Sequence, residues 1–74
     1  MNIYQNPDSG IKEYEYSNDW IKLLFDTGLY QYDRSVVGND AFGQMTSLAD
    51  KGRGLNTYIN QHRRIKDAGR KIAG

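Results

Sequence analysis

The spacing of large side chains changes once along this chain, and that change limits the folds open to it. Over residues 11–33 the spacing is close to two: Tyr14 and Tyr16 share a face, as do Ile21, Leu23 and Phe25, and again Tyr30 and Tyr32. Alternation of this kind predicts three strands. Ser17, Asn18 and Asp19 supply turn chemistry between the first and second; Asp26, Thr27 and Gly28 do so between the second and third, with Gly28 free to take positive φ. Beyond Val36 and Val37 the period becomes helical. Ala41, Phe42, Met45, Leu48 and Ala49 follow a candidate cap at Asn39, with Asp40 in the first turn, and Lys51-Gly52 closes the helix. A second helix is expected over about residues 56–73, capped by Asn56, with Tyr58, Ile59, Ile65, Ala68 and Ile72 on a loose stripe. Gly69 costs it about 1 kcal/mol relative to alanine. The expected class is α+β: a three-stranded antiparallel meander followed by two helices packed on one face.

With 74 residues there is room for one core. A domain of this size buries only about 60% of the surface its unfolded chain exposes, so every large apolar side chain counts. Six of the nine aromatics are tyrosines, so the core must draw on rings with a polar tip. Residues 1–10, which include Asn2, Gln5, Asn6, Pro7, Asp8, Ser9 and Gly10, read as a polar arm with little fixed structure, and residues 11–74 as a single domain. The chain has no cysteine, which excludes disulfides and thiolate metal sites and suits a reducing, cytoplasmic setting. No apolar run approaches the ~20 residues of a membrane span, and no secretory leader is recognisable, so a soluble, unprocessed protein is expected.

Charge is divided unevenly. Residues 1–50 carry three Lys/Arg and eight Asp/Glu; residues 51–74 carry seven Lys/Arg (Lys51, Arg53, Arg63, Arg64, Lys66, Arg70, Lys71) and only Asp67. The basic end is the one a polyanion would seek.

Phe25-Asp26-Thr27-Gly28 leading to Tyr30-Gln31-Tyr32, then valine, a short helix, Ala49-Asp50-Lys51-Gly52, and Leu55-Asn56 followed by Ile59 together resemble the KTSC domain. This small domain occurs at the C-terminus of some lysyl-tRNA synthetases and as free-standing bacterial and phage proteins. Leu55 stands where the family carries an aromatic and Asp50 where it carries serine, and the likeness covers residues 11–59. It implies an α+β fold and RNA binding, and no catalytic residue.

The residues themselves offer two readings of Tyr30 and Tyr32. Side chains two apart on a strand can stack unpaired bases, at ~1–3 kcal/mol each, or pack beneath the helices; the shortage of aliphatic residues favours the core. Tyr14 and Tyr16 pose the same question. Lys51-Gly52-Arg53-Gly54 is either an anion-binding nest or a helix-helix turn, and the turn is favoured because the spacing is not that of a P-loop. His62 stands alone among basic residues, so no metal site is expected, and no cofactor. Glu13 and Glu15 read as solvent-facing guards on an edge strand. No nucleophile comes with a base and an orienting group, so the chain reads as a binding protein, not an enzyme.

Two functions follow. In the first, Lys51, Arg53, Arg63, Arg64, Lys66, Arg70 and Lys71 contact phosphates of RNA or another single strand, rather than a sequence-read duplex, and Tyr30 and Tyr32 stack its bases. In the second, the basic helix docks on an acidic protein, as in a phage-encoded inhibitor or accessory factor, with Trp20, Tyr14 and Tyr16 as anchors. A membrane surface is not expected, because the stripe lacks Trp or Phe. Weak self-association of the acidic and basic halves is a variant of the second.

Overall fold

A computed structural model describes residues 1–5 and 10–74. Among these described residues five strands and four helices occur in the order β1 (Asn2–Ile3), β2 (Ile11–Tyr16), β3 (Trp20–Phe25), β4 (Gly28–Asp33), α1 (Arg34–Val37), α2 (Asn39–Lys51), α3 (Leu55–Gln61), α4 (Arg63–Ala68) and β5 (Arg70–Ala73). The sheet is antiparallel throughout, with spatial order β1-β2-β3-β4-β5. The α+β class and the central meander agree with the sequence reading. The expected three strands and two helices do not: a strand is added at each edge, and the helical region is in four pieces.

The two predicted hairpins form where the turn residues stand. Ser17 N–H donates to the Trp20 carbonyl at 3.0 Å, and Asp19 N–H to the Ser17 hydroxyl at 3.2 Å. In the second hairpin Phe25 pairs with Gly28 across Asp26 and Thr27. Register places Tyr14, Leu23 and Tyr30 in one row and Tyr16, Ile21 and Tyr32 in the next, all on the face that meets the helices. Ile11 lies on this face too, although it is three residues from Tyr14. A bulge between Ile11 and Glu13 shifts the alternation by one and buries both side chains. The opposite face carries Glu13, Glu15, Trp20, Lys22, Leu24, Leu29 and Gln31, none of them buried.

Helix α2 buries Ala41, Phe42, Met45 and Ala49, as its spacing predicts, and ends at Gly52, whose left-handed conformation (φ 77°) lets its N–H bond the Leu48 and Ala49 carbonyls. Asn39 is not its cap. Gly38 occupies that position, and the Asn39 side chain instead accepts from Arg34 Nε at 2.7 Å. Nor does Asn56 cap the next helix, since Gly54 precedes α3 and Asn56 lies within it.

The single basic helix expected over about residues 56–73 is replaced by α3, α4 and β5. The first break is His62 (φ −120°, ψ 86°), whose ring rests 4.3 Å from that of Tyr58 with Nδ1 2.8 Å from the Tyr58 carbonyl oxygen. The second is Gly69, which passes so close to Tyr32 that a Cβ there would lie 2.7 Å from the ring. Extended backbone at Gly69 (φ −69°, ψ 130°) then delivers β5 to the free edge of β4. Backbone groups on that edge need partners, and pairing them outweighs the helical spacing of Ile65, Ala68 and Ile72. Gly28 allows the approach, because a Cβ there would meet the Ala73 carbonyl oxygen at 2.6 Å.

At the other edge, part of the expected unstructured arm is ordered. Asn2 pairs with Tyr14 and Ile3 with Glu13, so β2 is covered there by β1 rather than being the sheet edge. Tyr4 is 2% exposed, its N–H donates to the Lys12 carbonyl at 2.9 Å, and its hydroxyl accepts from Leu55 N–H at 3.1 Å. The expectations for Asn6, Pro7, Asp8 and Ser9 fall outside the described residues.

Tyr4 therefore joins the N-terminus to the start of α3, and removing its hydroxyl leaves a buried amide unpaired. Tyr4→Phe is expected to cost about 1–3 kcal/mol and Tyr4→Ala about 3–5 kcal/mol, read from denaturant midpoints. A midpoint unchanged by either would show that residues 1–5 do not belong to the folded domain.

Candidate nucleic-acid interface

The seven basic residues of the C-terminal region are all exposed, but they do not line one helix. Three are already engaged. Arg64 donates to the Val37 carbonyl at 3.0 Å and the Val36 carbonyl at 3.4 Å, satisfying acceptors at the end of α1. Arg70 holds Asp33 at 2.8 Å, and Gln31 donates to the other oxygen of that carboxylate at 2.7 Å. Arg63 makes a looser contact, 3.7 Å to Asp67 one turn away, between two exposed side chains; such a pair adds little stability. Among the described residues Lys51, Arg53, Lys66 and Lys71 have neither an ion pair nor a side-chain hydrogen bond.

These four form two groups. Lys51 and Arg53 flank a shallow hollow with Gln5 and Gly52, at the turn between α2 and α3. That turn is not an anion nest: Gly52 N–H is bonded into α2, Leu55 N–H is taken by Tyr4, and the Gln5 side chain packs over Gly52. Lys66 lines a cleft between the sheet and α3, about 220 Å³ in volume, together with Phe25, Thr27, Tyr30, Tyr32, Asn56, Ile59 and Asn60. Lys71 is the register partner of Tyr30, and its side chain lies over Gly28, next to Thr27 of the cleft.

The two central tyrosines have separate roles. Tyr32 is 3% exposed, and burial, with a smaller contribution from Tyr30, pushes its phenol up to about 12. It belongs to the core and forms only the floor of the cleft. Tyr30 is half-buried, stands at 88° to Phe25 with ring centroids 5.5 Å apart, and brings its hydroxyl 3.4 Å from that of Thr27. Because the helices cover this face, the pair does not make an open platform.

Tyr14 and Tyr16 stack at 6.3 Å, and their hydroxyls donate to the two oxygens of Asp50, at 3.0 and 2.6 Å. Both phenols are held above their ordinary value, Tyr14 chiefly by burial and Tyr16 chiefly by its bond to Asp50. These two rings thus tie β2 to the end of α2. Trp20 is half-buried on the other sheet face, where Lys22 Nζ sits 4.4 Å from its ring centroid. Asn56, Asn60, Thr27 and Phe25 were not among the candidate site residues. Asn56 and Asn60 stand four apart, a spacing that puts them on one side of a helix, and this was the available signal.

No protein-family model, curated protein or solved structure matches the chain. Among the described residues no helix is long and apolar enough to cross a membrane.

The raised phenols make a pH prediction. A group protonated more firmly in the folded state stabilises fully below its unfolded value, here 10.0, and that stability is lost as pH rises toward the folded value. Denaturant midpoints should therefore fall between pH 10 and about 12, at up to about 1.4 kcal/mol per pH unit for one proton. Tyr32→Phe should flatten this fall. An equally steep decline in that variant would assign it to other groups.

Proposed function

We propose that this chain is a small non-enzymatic module, KTSC-like in its central residues, that binds RNA or another single-stranded nucleic acid. The observation that carries this reading is the set of four exposed cations, Lys51, Arg53, Lys66 and Lys71, without an acidic partner among the described residues. Among the described residues the acidic half of the chain does not neutralise them: Asp33 takes Arg70, Asp26 takes Lys12 at 3.2 Å, and Asp50 is held by two tyrosines, while Asp67 of the basic half faces Arg63. Unpaired ammonium and guanidinium groups release counterions when they meet phosphates, which gives affinity that is sensitive to salt and tolerant of sequence. The aromatic cleft beside Lys66 and Lys71 suits an unpaired strand better than a duplex, whose bases stay stacked. The site is thus smaller than the sequence reading made it, with Arg64 and Arg70 serving the fold and Arg63 at its margin.

Titration of labelled single-stranded RNA over a salt series tests this. Four phosphate contacts give a slope of log K against log salt of about −2.8, and Lys66→Ala with Lys71→Ala lowers its magnitude by about 1.4. Arg64→Ala should instead lower stability and leave the slope unchanged. Absence of RNA binding at low salt, with stoichiometric capture of an acidic protein that survives nuclease, would establish the protein-interaction alternative in its place.

A further inference from the structure

The geometry points to a more specific role for the cleft between β4 and α3: it takes one unstacked nucleobase of the bound strand, and the carboxamides of Asn56 and Asn60 read that base's hydrogen-bonding edge. This rests on the nucleic-acid reading above.

The cleft has the composition of a site for a flat, partly polar group. Its volume, about 220 Å³, admits a single ring system and not a folded segment of a partner. Phe25, Tyr30, Tyr32 and Ile59 give it apolar walls, while Thr27, Asn56, Asn60 and Lys66 supply the polar groups. Since Phe25 and Tyr30 are perpendicular, a planar guest that stacks on one ring meets the edge of the other, the two arrangements aromatic groups favour.

The asparagines carry the argument from a generic slot to a base. Both line the cleft from successive turns of α3, and among the described residues neither carboxamide has a hydrogen-bond partner. A carboxamide presents a donor and an acceptor side by side, which matches the adjacent N–H and ring nitrogen of adenine. An aliphatic or carboxylate guest would use one half of that pair and leave the other unmet. Charge agrees with the assignment. Lys66 lies within the cleft and Lys71 beside its rim, placed for the phosphates that flank an inserted nucleotide. Among the described residues no acidic side chain lines the cleft to repel them.

Fluorescence anisotropy with the intact chain and two labelled single strands, oligoadenylate and an abasic sugar-phosphate of equal length, decides the matter. The wild-type chain is expected to bind oligoadenylate about tenfold more tightly than the abasic strand. Asn56→Ala with Asn60→Ala should bring the two to the same affinity without changing the salt slope. Tyr30→Leu, a second variant independent of the asparagines, should do the same by removing the stack. Free adenosine monophosphate should compete only at far higher concentration, because it lacks the flanking phosphates. Equal binding of both strands by the wild-type chain overturns the base-pocket assignment while leaving the phosphate-binding reading intact. So does a double asparagine variant that keeps its preference, whereas a mononucleotide that competes as well as the strand overturns the strand reading on which the assignment rests. Failure to bind either strand at low salt overturns both.

Discussion

The unpaired edge of β4 governs the C-terminal third of the molecule. Every second backbone group along that edge requires a partner, and β5 provides them. Supplying a strand there means ending the helix before Arg70, and two glycines make the change possible without collision: Gly69 against the Tyr32 ring and Gly28 against the β5 backbone. The basic residues are distributed as a result. Arg70 and Lys71, which would have sat side by side on a helix, separate to opposite faces of the sheet, one to Asp33 and the other to the rim of the cleft.

Tyrosine is the second structural economy. In so small a domain a ring that fills the core and also satisfies a polar group replaces two residues. Tyr4 packs beneath α3 and accepts its first amide proton, and Tyr14 fills the space under α2 while bonding Asp50. Each bond joins segments far apart in the chain, 51 residues in one case and 36 in the other. The N-terminal strand and the helices are thereby held as one cooperative unit.

Function, on this view, lies in what the fold leaves unspent. Arg64, bound to carbonyls of α1, and Arg70, bound to Asp33, serve the fold. Lys51, Arg53, Lys66 and Lys71 remain available, as do the two carboxamides of α3 and the face of Tyr30. Available charge without an aromatic cleft would suit any polyanion, and the cleft without the charge would suit a small apolar guest. Their coincidence at β4 and α3 is what favours an unpaired nucleotide strand.

Several elements were legible in the residues alone. The alternation of Tyr14 with Tyr16, of Ile21 with Leu23 and Phe25, and of Tyr30 with Tyr32 gave three strands and their faces. The turn residues at 17–19 and 26–28 gave the hairpins, and the spacing of Ala41, Phe42, Met45 and Ala49 gave α2. These are local properties: period and turn chemistry act over a few residues, so a sequence carries them openly. The rest depended on partners distant in the chain. Nothing near Asn2 and Ile3 marks them as a strand until Glu13 and Tyr14 lie alongside, and nothing within residues 70–73 forbids a helix until β4 presents its edge. Which cations stay free, and that Asn56 and Asn60 line one cleft with Tyr30, were settled only by that assembly, because backbone pairing and side-chain contacts between remote segments outweigh local propensity when an edge or an amide would otherwise be left unsatisfied.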